Sequence, residues 1–278
     1  TWWHAPMNLA DQILQLAVSG VALGLVYGIV GLGFTIIYNA TGVINFAQGE
    51  FVMLGGLLAV SLAAAQVPLP LVMVLTAAAV ALIGAFLERA AIRPLSECTV
   101  LSMITVTIGA SFLLRGAAKL IWGPNALPLA PFSGEAPLHL GSAAVEPQEL
   151  WVAGTALLIV VATQLFFNHT LLGKAMRATA INRLAARLAG VSVDRMTLLA
   201  FALSAGISGL AGVVLAPLTM ASYSCGTPLA VKGFCAAIVG GLGNGLGAVV
   251  GRVVLGVLES VGAGLLSSGY KNAFAFLV

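Results

Sequence analysis

Between Asp11 and Glu50 the chain carries no Asp, Glu, Lys or Arg, and none occurs between Glu50 and Glu88. A helix crosses the hydrocarbon core of a bilayer in about 20 apolar residues, so each stretch has room for more than one pass. Only 8% of the 278 residues are charged and 60% are hydrophobic, where soluble domains carry roughly 25% charge. The 12 basic and 9 acidic side chains cannot cover a water-facing surface of this size. A soluble enzyme domain, a nucleic-acid binder and a disordered chain are excluded. A transmembrane barrel would alternate apolar and polar residues in strands of about ten, whereas these runs are continuously apolar. The expected fold class is all-α: a polytopic helical membrane protein of about eight to nine spans, with broken or re-entrant helices.

Spans are expected near 12–38, 48–66, 70–87, 98–122, 150–168, 196–220, 230–244 and 246–268, with a ninth beginning near Asn272. Together they form one transmembrane domain over 1–278. The short 230–244 piece reads as a half-helix or re-entrant segment, tolerated at membrane depth only where protein or a water-filled cavity covers it. The loop 169–195 holds Lys174, Arg177, Arg183, Arg187 and Arg195, and the loop 88–97 holds Arg89 and Arg93. The segment 123–149 has no Lys or Arg but carries Glu135, Glu146 and Glu149. The positive-inside rule places the first two in the cytoplasm and the third outside. Counting back puts the N-terminus outside. Trp2, Trp3, Trp122 and Trp151 then all lie near the outer interface, where indoles are favoured. Arg115 and Lys119, one turn apart near the outer end of their span, are expected to snorkel to that surface. The proline-rich outer segment is expected to be a loop or short extended hairpin, either a docking surface for an external partner or a passive connection.

Glycine is enriched, with 33 residues. The clusters at Gly28, Gly31 and Gly33 and at Gly206, Gly209 and Gly212 suit close helix packing. The run from Gly240 to Gly247 is dense enough to break a helix, and Leu246 prevents a dinucleotide fingerprint. Cys98, Cys225 and Cys235 have neither zinc spacing nor a disulfide framework. No phosphate loop surrounds Lys174, and His4, His139 and His169 lie outside the spans or at their edges. Nothing points to a catalytic site, a cofactor or a metal.

Ionisable residues inside spans are functional candidates by default. Glu50 and Glu259 qualify, with Arg252 two turns from Glu259 on nearly the same face. Glu50 reads either as a pathway residue or as a structural anchor; Glu259 leans to the structural role. The stretch Tyr38–Glu50 contributes Asn39, Thr41, Asn45 and Gln48 and is loosened by Gly42 and Gly49. It reads as a break between two helices at membrane depth, as at transporter pathways, with an ordinary cytoplasmic turn as the competing account. The candidate pathway residues are Asn45, Gln48 and Glu50. The segment Gly173–Arg195 favours helix and repeats Leu172, Met176, Ala180, Leu184 and Leu188 every four residues beside Lys174, Arg177, Arg183 and Arg187. Lipid or a partner protein must cover that apolar stripe.

Three blocks resemble the LivH-type permeases, membrane subunits of ABC importers for branched-chain amino acids. They are Gly42-Val43-Ile44-Asn45-Phe46-Ala47-Gln48-Gly49-Glu50; Gly173-Lys174-Ala175-Met176-Arg177-Ala178 with Ala189-Gly190-Val191 and Asp194-Arg195; and Lys232-Gly233-Phe234 with Val239-Gly240-Gly241-Leu242-Gly243-Asn244. The resemblance implies an inner-membrane permease subunit pairing with a second homologous permease, two cytoplasmic ATP-binding subunits and an extracytoplasmic solute-binding protein. It also implies that Gly173–Gly190 is the coupling helix, with Gly173, Lys174, Met176, Arg177, Ala178, Leu184 and Gly190 at the ATPase contact. Many members have His where Gln48 stands, a small residue at Arg252, and a final span and basic tail after Val278, so a C-terminally truncated product is expected. An ion-coupled secondary transporter with inverted repeats, or a channel or structural membrane subunit, are the alternative functions.

Overall fold

The computed structural model describes residues 9–95, 99–134, 136–140, 143–239, 241, 256–258, 260 and 262. The helices are α1 (Leu9–Thr41), α2 (Gln48–Ala64), α3 (Leu69–Leu87), α4 (Val100–Trp122), α5 (Pro147–His169), α6 (Leu171–Ile181), α7 (Arg183–Leu188), α8 (Val193–Thr219) and α9 (Gly226–Val239). Among the described residues, Gln15–Thr41, Leu69–Leu95, Val100–Trp122, Pro147–His169 and Val193–Thr219 are long and apolar enough to cross a membrane. The all-α polytopic architecture stands as expected. Local chemistry sets the helix starts. Thr99 Oγ1 accepts from Ser102 N at 3.3 Å to cap α4. Proline in the first turns of α3 and α5 supplies no amide where none is needed.

The core forms around α8, which packs on α1, α2, α3 and α5. Phe201, Ala205, Gly209, Val213 and Val214 are buried along it. The outer helices face away from this core. Leu82, Phe86, Leu113, Leu120 and Leu157 are more than half exposed, which suits helices whose neighbour is lipid as apolar as leucine itself.

The connections sort to two ends. At the basic end, Arg93 Nη2 meets Asp194 Oδ2 at 3.5 Å, joining the residues after α3 to the start of α8. At the acidic end, Leu127 and Ala221 exchange backbone hydrogen bonds of 2.8 and 2.9 Å. Trp122 Nε1 donates to Ser61 Oγ there at 2.6 Å. The expected hairpin is present between α4 and α5: β1 (Leu138–Leu140) pairs antiparallel with β2 (Ala143–Val145).

Three expectations are corrected. The region 88–97 is not a simple loop, because α3 runs on through a π-helical turn (Glu88–Ile92) and a 3₁₀ turn (Arg93–Leu95) that contains Pro94. The segment after α5 is not one helix but two. Asn182, at φ −154°, stops α6, and its Oδ1 accepts from Ala185 N at 2.9 Å to start α7. Asparagine offers the backbone this local alternative to continuing a helix. The short seventh span begins at Gly226, ahead of the expected residue 230. The expected span at 246–268 falls largely outside the described residues, and the one from Asn272 wholly so, as do Arg252 and Glu259.

Candidate functional site

Gly42, at φ +72°, turns the chain out of α1. Asn45 Oδ1 then accepts from Ala47 N at 3.1 Å, a local turn that hands over to α2 at Gln48. Phe46 N donates to Thr107 Oγ1 at 3.2 Å. Thr107 lies about two turns inside α4, so α2 starts within the bundle, not at its end. Its 17 residues rise about 26 Å, less than a full hydrocarbon core of about 30 Å.

Gln48 is fully buried and ties three helices together. Its Nε2 donates to Ser208 Oγ at 2.6 Å, while Ser204 Oγ lies 3.0 Å from Gln48 Oε1 and 2.9 Å from Gly33 O. The two serines stand one turn apart on α8, so one amide reads both. At Gly33 a Cβ would collide with the Gln48 side chain. Asn45 is 1% exposed; its Nδ2 has no hydrogen-bond partner among the described residues, and it borders a cavity of about 10 Å³.

Glu50 is 1% exposed and organises the charge at the centre of the bundle. Its Oε1 accepts from Ser111 Oγ at 2.9 Å, Arg115 Nη2 at 2.9 Å and Thr227 Oγ1 at 3.2 Å. Arg115 also contacts Thr227 and lies 5.5 Å over the Phe112 ring. Glu50 sits in the first turn of α2 and Thr227 in the first turn of α9. The N-termini of two short helices therefore meet at one carboxylate, beside the Arg115 guanidinium. Gly49 and Gly226 allow this: a Cβ on Gly49 would strike Gly226 O, and one on Gly226 would strike the Glu50 carboxylate. Arg115 was expected to snorkel outward. It turns inward instead to the Glu50 carboxylate, a buried anion that would be costly to leave without a cation. Lys119 does stay exposed, its Nζ 5.3 Å from the Tyr223 ring centroid.

The three candidate pathway residues thus cluster where α1 ends and α2 begins. They face α1, α4, α8 and α9 within the chain. Ser111, Arg115, Thr227, Ser204 and Ser208 complete the cluster and went unrecognised in the sequence. The four-residue spacings of Ser111 with Arg115 and of Ser204 with Ser208 were the available signal. Lys232 is a buried cation, 3.2 Å from Tyr27 Oη.

The segment after α5 has two distinct sides. Thr170 Oγ1 accepts from Gly173 N at 2.9 Å, and Gly173 lies so close to the Phe166–Phe167 backbone that no Cβ fits. Met176 and Thr179 are buried against the bundle, pinning α6 to α1, α5 and α8. Of the expected apolar stripe only Met176 is covered: Leu184 and Leu188 are 68% and 81% exposed, alongside Leu171 and Ile181. Lys174, Arg177 and Ala178 are exposed as well. Gly190, at φ +84°, ends α7 with Val191 N donating to Ala186 O at 2.9 Å. Among the described residues no group of three or more His, Cys, Asp or Glu is placed to hold a metal.

An ion pair at the meeting of two short helices, inside a bundle of helices long and apolar enough to cross a membrane and beside an exposed basic segment, marks a polytopic membrane protein. The family described as branched-chain amino acid transport system / permease component matches residues 16–278. This chain belongs to that family. It is 30% identical over 277 residues to the high-affinity branched-chain amino acid transport system permease protein LivH of Salmonella typhimurium, covering 95% of this chain and 90% of the relative. It is likewise 30% identical over 280 residues to the permease protein BraD of Pseudomonas aeruginosa, with the same coverage. The ribose import permease RbsC of Escherichia coli is 27% identical over 283 residues, covering 98% of this chain and 81% of RbsC. No solved structure matches. The chain is a multi-pass inner-membrane permease subunit of an ABC importer, not an enzyme. ATP hydrolysis in such systems lies in separate subunits, and a binding protein also belongs to them.

Proposed function

We propose that this chain is one permease half of an importer for branched-chain amino acids or related small polar solutes. Residues 1–278 act as one transmembrane domain with the N-terminus outside. A second homologous permease completes the path, two ATP-binding subunits drive it from the basic end, and the solute-binding protein delivers substrate at the acidic end. The single observation that carries the reading is the exposed apolar edge of α6 and α7 on a segment whose other side is pinned to the bundle. Leu171, Ile181, Leu184 and Leu188 project beside Lys174, Arg183 and Arg187, a surface suited to a groove in a partner protein.

In this reading Lys174, Ala178 and Leu184 meet the ATPase, Gly173 and Met176 pass its displacement into α5, α1 and α8, and Gly190 fixes the exit of the segment. The movement reaches α2 through Gln48 and its two serines. The permease performs no chemistry; it converts displacement of packed helices into opening and closing of a path. Glu50 has a counter-ion, Arg115, within the chain. That favours the ATP-driven reading over an ion-coupled one.

The test is co-purification with the ATPase subunits. Leu184→Glu with Leu188→Glu should leave a membrane-inserted protein that no longer retains them and no longer supports ATP-dependent uptake. Full retention of the ATPases by this variant would reject the assignment.

A further inference from the structure

A cleft of about 120 Å³ opens between α1, α5 and α6 at the basic end of the bundle. Ile36, Val160 and Phe167 form its apolar floor, and Asn39, Gln164 and Arg177 supply its polar groups. Neither amide makes a hydrogen bond to another described residue. Arg177 pairs with no carboxylate among the described residues; its guanidinium lies 6.0 Å over the Phe167 ring. Two amides open to a ligand and a cation without a carboxylate partner, gathered at the basic end of the bundle, suit a ligand that is anionic and hydroxylated at one end. The apolar floor calls for a hydrocarbon at the other. Beyond the cleft that floor continues over Val161 and Leu165 of α5, both about half exposed, so the hydrocarbon has a path outward along the bundle.

We propose that this cleft binds an anionic phospholipid with a hydroxylated headgroup, of the phosphatidylglycerol kind. Its phosphate takes the Arg177 guanidinium in charge-assisted hydrogen bonds. Its glycerol hydroxyls, each both donor and acceptor, match the Asn39 and Gln164 amides. One acyl chain lies along Ile36 and Val160. Basic pockets between spans on the cytoplasmic side suit anionic headgroups, and the basic end of this bundle has that character. The lipid bridges α5 to α6 and braces the segment that carries the exposed leucines.

The full chain is placed in nanodiscs of mixed phosphatidylcholine and phosphatidylglycerol, and the lipid it retains on release is identified by native mass spectrometry. Phosphatidylglycerol should be retained in preference, and Arg177→Gln should lower that retention about tenfold, as loss of a charge-assisted contact implies. Asn39→Leu with Gln164→Leu, which keeps the volume and suits the membrane, should lower it as well. Equal retention of both lipids, or unchanged retention in Arg177→Gln, overturns the proposal; that exposed position leaves the fold intact. So does a photo-cross-linker at Val160 that labels a second permease chain, and not lipid, in the assembled importer.

Discussion

Glu50 Oε1 and Arg115 Nη2 lie 2.9 Å apart although 65 residues separate them in the chain. The pair joins α2 to α4, and Thr227 brings α9 to the same oxygen. The partners differ in their surroundings: the Glu50 side chain is 1% exposed and that of Arg115 25%. Removing the cation strands a buried anion, which costs about 3–5 kcal/mol. Removing the anion leaves an arginine with a route to the surface. Arg115→Met is therefore expected to lower thermal stability, followed by size-exclusion of the heated protein, more than Glu50→Gln. The double variant should recover much of the loss. Independent, additive effects would show that the pair does not hold the three helices.

The glycines divide into two groups by what surrounds them. Gly55 of α2 lies against the backbone of Gly209, and Gly212 of α8 against that of Val52, so neither accepts a methyl group. Gly154 of α5 has nothing within 4 Å of a Cβ position. Gly55→Ala is expected to destabilise by about 1–3 kcal/mol or more, because backbone cannot yield as a side chain does. Gly154→Ala should be neutral or stabilising by up to about 1 kcal/mol through helix propensity. Melting curves of the two purified variants compare them directly.

Gln48 makes a contact inside the bundle whose strength is modest bond by bond. Hydrogen bonds between membrane helices average about 0.6 kcal/mol, so Ser208→Ala should cost little. Gln48→Ala removes both serine contacts and leaves a cavity at a fully buried site, so it should cost several times more. Thermal denaturation of the two variants in one detergent supplies the comparison, and equal losses would place the weight on Ser208.

Arg93 and Asp194 provide the contrast to the buried pair. Their side chains are 44% and 54% exposed, and an exposed pair is worth at most about 1 kcal/mol. Asp194→Asn should shift the melting temperature little. High salt should reduce what shift there is, whereas the Glu50 pair, whose carboxylate is buried, should respond less. A large salt-sensitive loss at Asp194 would contradict this.

The span positions were legible because an unbroken apolar run leaves few alternatives: α2, α3, α4, α5 and α8 fall where hydropathy places them. The break between α1 and α2 was legible too, from Asn45 and Gln48 beside Gly42 and Gly49. The partner of Glu50 was not. Arg115 lies near the end of an apolar span, where an outward and an inward side chain have the same sequence signature. Only the packing of α2 on α4 decides between them. The break at Asn182 was hidden for a related reason. The four-residue repeat of apolar side chains runs through it, while the capping hydrogen bond that divides the helix depends on one side-chain rotation.

The narrow contact stripe of α4 has a mechanical consequence. Its buried positions are Met103, Thr107, Ser111 and Ala118, and four of its side chains hold the rest by polar contacts: Thr107 to Phe46, Ser111 and Arg115 to Glu50, and Trp122 to Ser61. The backbone-to-backbone seam of α2 with α8 admits no slippage. Directional bonds, by contrast, can be exchanged one at a time as a rod swings. Within the described residues, α4 is thus joined to α2 and its neighbours by a few exchangeable bonds, two of which end on the carboxylate of Glu50.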